Sequence, residues 1–472
     1  MPNPQARKYE RGQTIVLFAF GIVFLVLATG LAIDAGLCYV AKSKLSTSVD
    51  GATLAGMKTL QQGQSIASTI AADVFYANYG ANPPTPTVTF PTDASGNQEV
   101  QVTATTNVHT LFMKILPSLT TVAVSDTAVA TRAKLIMTIV VDRSGSMCGG
   151  TDSCQSGVSG DDGGEALQAA VPLFVANFDQ TPNTGDEIGL VSFSDNAVIN
   201  YGINYSFITP IDNAISGMSF VGGTFGTGAG TGTLLSNTVG PPLSLAGAEN
   251  DSVSISSGQA VIKVIVYLTD GLMNTVQDQF QCGGKNNTTY TLLNYGGFDN
   301  PGASQYGDIF NPNSATQIYG TATASGFPYS ASPTNCVNSS GVTVTTFTSQ
   351  QPGKGQLSFL QTNITGEAQY RAKQTAIALE SESQHPNYIY TIGLSNSVTS
   401  CTEALLATIA NDPNAPSYSC PSSPGVYNSN QATGEFFYIS SSVCPGTGNE
   451  CNEAVEQVFN TIAAKVLLRL TQ

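Results

Sequence analysis

Hydrophobic and polar positions change their period three times along this chain, and each change predicts a different kind of element. Residues 14–33, TIVLFAFGIVFLVLATGLAI, contain no charge, and a helix of about twenty apolar residues spans the hydrocarbon core of a bilayer. Residues 39–60 keep a helical spacing, with Leu45, Val49, Ala52 and Gly56 on one stripe. Small residues there allow a helix or sheet to approach closely, most simply in packing onto whatever follows. Residues 83–133 shift to the two-residue period of strands: TVTF (87–90), EVQVTATT (99–106) and TVAVSDTAVAT (121–131), with a short helix or turn in HTLFMKILP (109–117). A sheet this small needs a cover for its apolar face, and the helix of residues 40–60 is the expected cover.

From residue 134 onward strands and helices alternate. LIMTIVV (135–141), DEIGLVSFS (186–194), AVINYGI (197–203), VIKVIVYLTDG (261–271), NYIYTIGL (387–394) and EFFYISS (435–441) read as strands. Helices are expected at 164–178, 210–217, 366–381, 402–411 and 452–470. Such alternation predicts an α/β fold, a mostly parallel sheet with helices on both faces. The expected divisions are 1–38 for the N-terminus and anchor, 39–133 for a helix plus small β-rich unit, 134–281 with 360–472 for the α/β domain, and 282–359 for an inserted, partly β-structured excursion. Residues 225–257 read as a long stretch broken by Pro241 and Pro242.

Charge and cysteine usage say where this chain resides. Only 10% of residues are charged, against about 25% in ordinary soluble proteins. The net charge of −15 argues against nucleic acid, whose affinity for proteins comes largely from Lys and Arg on phosphates. Arg7, Lys8 and Arg11 precede the apolar segment, so the positive-inside rule leaves the N-terminus in the cytoplasm and exports the bulk of the chain. A cleaved signal peptide would have a shorter apolar region and a small-residue cleavage site; here Asp34 interrupts and Leu37 precedes Cys38. Eight cysteines lie beyond the anchor, Cys148, Cys154, Cys282, Cys336, Cys401, Cys420, Cys444 and Cys451, an even number that fits disulfides in an oxidising compartment. Pairing sequence neighbours gives 148–154, 282–336, 401–420 and 444–451, with Cys38 left over. The two histidines, His109 and His385, have nothing near them in sequence that suggests a zinc site or a Ser-His-Asp triad.

The candidate chemistry sits where strands end, the edge at which such folds bind ligands. Asp142, Ser144 and Ser146 follow the first apolar strand at a spacing of two, Thr224 lies in a GGT loop, and Asp270 follows another apolar strand in TDG. Hydroxyls and carboxylates suit a hard cation, Mg²⁺ with Mn²⁺ or Ca²⁺ as alternatives. Three of the five groups are neutral, so a bound ion is only partly satisfied by them and is expected to attract an acidic side chain from a protein partner.

Two resemblances follow from these residues. RGQTIVLFAFGIVFLVLATGLAIDAG, followed by KSKLSTSVDGATLAG, resembles the N-terminal region of TadG-like proteins of the Tad/Flp pilus systems. Those proteins open with an Arg-Gly pair, a transmembrane helix ending in aspartate, and a helix with Leu, Asp and Ala repeats; Asp34, Leu45, Asp50 and Ala52 stand at those places. Residues 102–133 are similar to the family's small exported β domain. Processed pilins of these systems carry a glutamate five residues into the mature helix; counted from Gly12, Leu17 stands there, so pilin-type cleavage is not expected. The loops bearing Asp142, Ser144, Ser146, Thr224 and Asp270 resemble the metal-ion-dependent adhesion site of von Willebrand factor A domains. That resemblance implies a Rossmann-like doubly wound domain, with Asp270 acting on the ion through water. The long stretch after Thr224 and the 282–359 excursion depart from the family pattern.

Together these readings predict a non-enzymatic, membrane-anchored component of Tad/Flp-type pilus assembly. It would sit in the bacterial inner membrane, expose its bulk to the periplasm or exterior, and bind pilus assembly components through the metal. A surface adhesin using the same site for an extracellular ligand is the alternative. A phosphohydrolase with Asp142 as nucleophile is disfavoured, because Arg143 and Ser144 stand where a second acid or base is needed.

Overall fold

A computed structural model describes residues 10–60, 63–115, 119–144, 147, 162–180, 185–193, 197–218, 220, 233–234, 241–271, 273–282, 285–293, 308–310, 317–319, 346–358, 361–394, 400–414, 427–440, 442–444 and 449–470. Its chain divides into two compact units, residues 1–132 and 133–470.

The first unit begins with a single helix, α1 (Glu10–Thr59). Its apolar N-terminal part is long enough to cross a membrane, and Ile15, Leu17, Phe18, Phe20, Phe24 and Leu25 all point away from protein. From Leu45 onward the same helix buries the predicted stripe: Leu45, Val49 and Ala52 are inaccessible. A side chain at Gly56 would press on Ala71 and Val100 at 3.1–3.2 Å, so the helix approaches both a second helix and a strand there.

That second helix, α2 (Gln64–Tyr79), buries Ala67, Ala71, Phe75 and Tyr79 at every fourth position. It is bracketed by Gly63 and Gly80, both with positive φ (107° and 74°), a conformation that glycine adopts without strain. Strands β1 (Thr87–Thr89), β2 (Gln98–His109) and β3 (Thr121–Arg132) form an antiparallel sheet in the order β1-β2-β3. The β2–β3 register runs without a bulge from Gln98↔Arg132 to His109↔Thr121. Val100, Val102 and Ala104 on β2 pack against Leu45, Val49, Met57, Ala71 and Phe75. The sheet is therefore covered by two helices, where the sequence reading supplied one.

In the second unit the elements run β4 (Lys134–Asp142), α3 (Gly163–Val175), β5 (Glu187–Phe193), β6 (Ala197–Asn204), α4 (Ile208–Ser216), β7 (Thr233–Leu234), α5 (Pro242–Ser252) and β8 (Val261–Thr269). There follow β9 (Met273–Cys282), β10 (Lys285–Leu293), β11 (Asp308–Phe310), β12 (Gln317–Tyr319), β13 (Thr346–Thr348) and β14 (Gln356–Ser358). The unit ends with α6 (Gln361–Glu380), β15 (Asn387–Leu394), α7 (Ser400–Ile409), β16 (Glu435–Ile439) and α8 (Glu450–Arg469).

Six of these strands form the main sheet, in the order β16-β15-β8-β4-β5-β6. All neighbours are parallel except the antiparallel edge pair β5–β6. Chain order starts in the middle at β4, runs outward to β6, then crosses to β8 and runs outward to β16. This is the doubly wound, Rossmann-like order, the fold class expected from the sequence. Every residue of β4 is buried. Leu135, Met137, Ile139 and Val141 pack with Phe174 of α3, Ile211 of α4 and Phe459 of α8. Val140, Ile265 and Tyr267 pack on the other face with Leu243 of α5, Ala368 and Ala372 of α6 and Leu406 of α7.

Helix α5 corrects the reading of residues 225–257 as broken by its prolines. Pro242 occupies the first turn, where the missing N–H costs nothing and the fixed φ favours the helix. Its Asn250, fully buried, accepts from Thr138 Oγ1 (2.8 Å) and donates to the Val264 carbonyl (3.0 Å) and Asn387 Oδ1 (2.7 Å). One side chain thus links α5 to β4, β8 and β15. Strands β9–β12 and β7 make a further sheet in the order β12-β11-β10-β9-β7, and β13–β14 a hairpin.

Candidate metal centre

Strands β4 and β8 are neighbours, paired in register up to Val141↔Leu268. The chain leaves β4 outward toward β5 and leaves β8 in the opposite direction, so the crevice for a ligand in a doubly wound sheet opens between their carboxyl ends. Asp142 is the last residue of β4 and Asp270 the first beyond β8. Both are buried. The structure therefore brings Asp142, Ser144 and Asp270 to one sheet edge, while Ser146 and Thr224 lie outside the described residues.

Asp142 is held by neutral donors. Its Oδ1 accepts the Ser144 N–H (2.8 Å) and its Oδ2 the Thr269 hydroxyl (2.7 Å). The Ser144 hydroxyl and the Asp270 N–H also donate to this carboxylate. Burial pushes the Asp142 carboxyl above its ordinary pKa, and these hydrogen bonds only partly offset it. Beside it, burial and the Asp142 charge hold the Tyr267 phenol well above its usual value. A fully buried carboxylate whose hydrogen-bond donors are neutral is electrostatically incomplete, because desolvation disfavours its charged form.

The surrounding loops are fixed closely. The Arg143 N–H donates to the Phe193 carbonyl (2.8 Å), extending β4 past its end, and the Met147 N–H donates to the Ser144 carbonyl (3.1 Å). Helix α3 begins against Met147: a Cβ on Gly163 would lie 3.1 Å from Met147 Cε, so the glycine permits that approach. Asp162 caps the helix by accepting the Gly164 and Glu165 N–H groups.

Among the described residues no three His, Cys, Asp or Glu side chains converge as a metal-binding group, so an ion here needs hydroxyl ligands as well. The residues present fit that requirement. Two buried acids carry a charge that a divalent ion would neutralise, and Ser144 and Thr269 put hydroxyl oxygens beside Asp142. Hard divalent cations take such all-oxygen sets. Thr269, whose hydroxyl donates to Asp142, is a residue that sequence reasoning did not single out; its signal was its place immediately before Asp270.

Residues 12–65 match the family model described as "Putative Flp pilus-assembly TadE/G-like", so the chain carries a TadE/G-like N-terminal segment made of α1 and the start of α2. No curated protein matches the sequence. Among solved structures, the von Willebrand factor domain of the type V pili tip protein Mfa5 from Porphyromonas gingivalis is similar at 15% identity and TM-score 0.37, covering 73% of this chain and 98% of that one. The pilus adhesin SpaC from Lactobacillus rhamnosus GG is similar at 16% identity and TM-score 0.35, over 82% of this chain and 35% of that one. The PilB minor pilin from Streptococcus sanguinis is similar at 14% identity and TM-score 0.34, over 82% and 79% of the two chains. The fold assignment rests on the strand order of the main sheet.

Proposed function

We propose that this chain is a membrane-anchored, non-enzymatic component of Tad/Flp-type pilus assembly that captures a protein partner through a divalent ion at the β4–β8 edge. The observation that carries the reading is the convergence of buried Asp142 and Asp270 with the Ser144 and Thr269 hydroxyls at the switch point of a doubly wound sheet. It gains support from the TadE/G-like segment at residues 12–65 and from α1, which fits a membrane anchor. Arg7, Lys8 and Arg11 favour a cytoplasmic N-terminus in the bacterial inner membrane, with the bulk of the chain outside the cytoplasm.

Asp142 and Asp270 supply the charge, Ser144, Ser146 and Thr224 the neutral oxygens, in the order that the von Willebrand factor A resemblance implies. The ion would contribute Lewis acidity toward a carboxylate of the partner. Asp142 is poorly placed to act as a nucleophile, since both its oxygens already accept hydrogen bonds and the groups beside it are neutral donors.

Thermal melting with and without Mg²⁺ tests the site. Ligand binding stabilises the fold by about 2.7 kcal/mol at a hundredfold excess over Kd, so the wild type should melt higher in millimolar Mg²⁺. Asp142→Asn, which keeps the side-chain shape, should not respond. Equal shifts in both proteins, or calorimetry showing no Mg²⁺ or Mn²⁺ uptake by the wild type, would overturn the proposal.

A further inference from the structure

The five residues LFMKI (111–115), within the connection from β2 to β3, combine three observations. Leu111, Phe112 and Ile115 are 52%, 38% and 73% exposed, an apolar cluster at the tip of an otherwise polar-edged hairpin. The backbone N–H groups of Leu111, Phe112 and Met113 all donate to the Asp34 carboxylate of α1, at 2.7, 3.0 and 2.7 Å. Finally, the Phe112 ring lies directly on Gly30: a Cβ there would fall 2.6–2.8 Å from Phe112 Cγ, Cδ1 and Cβ.

These contacts fix the height of the tip along α1. Gly30 lies three residues inside the end of the uncharged run at Ile33, about 4.5 Å at 1.5 Å per residue. Phe112 is thus seated beside the outer end of the bilayer-spanning segment and not above it. Backbone donors cannot enter that zone unpaired, because no water is there to satisfy them. Asp34 answers the cost: one buried carboxylate takes three N–H groups that the turn leaves without partners. Thr29, in the same stretch, likewise spends its hydroxyl on the Leu25 carbonyl (2.8 Å). Tyr39, 77% exposed and five residues past Asp34, stands where interfacial aromatics anchor membrane helices.

We propose that the 111–115 tip is a second membrane contact: Leu111, Phe112 and Ile115 enter the outer edge of the lipid bilayer, and Asp34 and Gly30 position them there. A single helix leaves a domain free to roll about its axis. A helix plus a docked tip fixes which face of the β1-β2-β3 sheet looks along the membrane. The inference rests on the anchor reading of α1, and its test separates the two.

The chain contains no tryptophan, so one introduced tryptophan reports alone. Full-length Ile115→Trp, Ile22→Trp and Val129→Trp are each reconstituted into phosphatidylcholine vesicles with and without brominated acyl chains. Ile22→Trp, in mid-span, should be quenched by bromine; Val129→Trp, exposed on β3, should not. Ile115→Trp should be quenched, emit to the blue and resist aqueous iodide. Adding Gly30→Leu to Ile115→Trp should abolish that quenching, whereas adding Gly21→Leu, where a Cβ meets nothing within 4 Å, should leave it unchanged. Quenched Ile22→Trp with unquenched Ile115→Trp would overturn the tip insertion and keep the anchor, whether iodide reaches the tip or a protein surface shields it. Unquenched Ile22→Trp would overturn both.

Discussion

Of the apolar runs in this chain that end in an aspartate, two are solved in opposite ways. In the first unit, the side chains of residues 15–33 face outward along α1, with Phe112 lying on the run at Gly30 alone, and the run ends at Asp34. In the second, β4 is buried on both faces from Lys134 to Asp142. The lengths decide it. About twenty residues of helix match a bilayer, whereas eight or nine residues of strand match the middle of a parallel sheet covered by helices. The terminal acids differ as well. Asp34 is shared among three backbone donors of one turn, and Asp142 among hydroxyl and backbone donors from two strand ends. One acid completes a piece of structure; the other leaves its burial electrostatically incomplete.

The largest effect expected from breaking this contrast comes from placing a charge in each run. Val140→Asp buries an unpaired carboxyl in the centre of the main sheet. Its cost of several kcal/mol is comparable with the roughly 5–15 kcal/mol that holds a domain folded, so the second unit should lose its cooperative melting transition. Val23→Asp, in the middle of the exposed run, should cost about 3 kcal/mol of membrane insertion and leave that melting transition unchanged. Membrane fractionation and calorimetry on the two variants check both halves. A melting loss in Val23→Asp would make the apolar run part of a protein core.

Sequence reading found the second run more completely than the first. Strands β4, β8 and β15 were legible because each is a continuous β-branched apolar run, and Asp142 and Asp270 because an acid follows such a run. Helix α2 was not, since its buried face is Ala67, Ala71, Phe75 and Tyr79 and two alanines give little hydrophobic contrast. Helix α5 was hidden by Pro242, read as a breaker when it is a starter. Thr269 looked like one more β-branched strand residue, and only its hydrogen bond to Asp142 gives it a role. Asp34 and Leu111 are 77 positions apart, and no local pattern announces a hydrogen bond across such a distance.

Glu380, at the end of α6, is another buried acid and sharpens the comparison, because neither carboxylate oxygen has a hydrogen-bond partner among the described residues. Burial raises its pKa from 4.5 to about 9. The fold therefore keeps a proton that the unfolded chain releases above its own pKa. This group destabilises the fold increasingly as pH rises from 4.5 toward 9 and has no such effect at lower pH. Glu380→Gln should raise stability by up to about 3 kcal/mol at pH 7 and by nothing at pH 4. Denaturant titrations at the two pH values read the difference; an equal effect at both would mean that the carboxyl ionises normally in the fold.

The second unit also carries a covalent constraint. Cys444 and Cys451 are bonded, with Cα atoms 4.6 Å apart, Cys401 is in a disulfide as well, and Cys38 of the first unit is free. Cys148, Cys154, Cys336 and Cys420 lie outside the described residues. Closing a loop of seven residues removes about 2 kcal/mol of unfolded-state entropy. Cys444→Ser with Cys451→Ser should lower the second unit's stability by about that amount in oxidising buffer and change nothing in reducing buffer. A loss that persists in reductant would trace to packing, since both cysteines are buried beside Val455.

The smallest effect belongs to the first unit, at an ion pair between α1 and β3. Lys42 Nζ lies 2.7 Å from Asp126 Oδ1 and 2.8 Å from the Ser125 carbonyl. Burial alone would raise the Asp126 carboxyl, but hydrogen bonds from Lys42, the Thr127 N–H and Ser46, with the Lys42 charge, hold it below the ordinary value. A depressed carboxyl pKa stabilises the fold above the unfolded-state value and loses that contribution as pH falls through the folded one. Lys42 is nearly half exposed, so solvent screens the pair and it contributes about 0.2–1 kcal/mol. Lys42→Met should cost that much at neutral pH and low salt, less in high salt, and almost nothing once Asp126 is protonated. A cost that ignores both salt and pH would trace to the lost hydrogen bond from Lys42 to the Ser125 carbonyl and not to the ion pair, and the first unit would then be held by apolar contacts and hydrogen bonds even where it displays opposite charges.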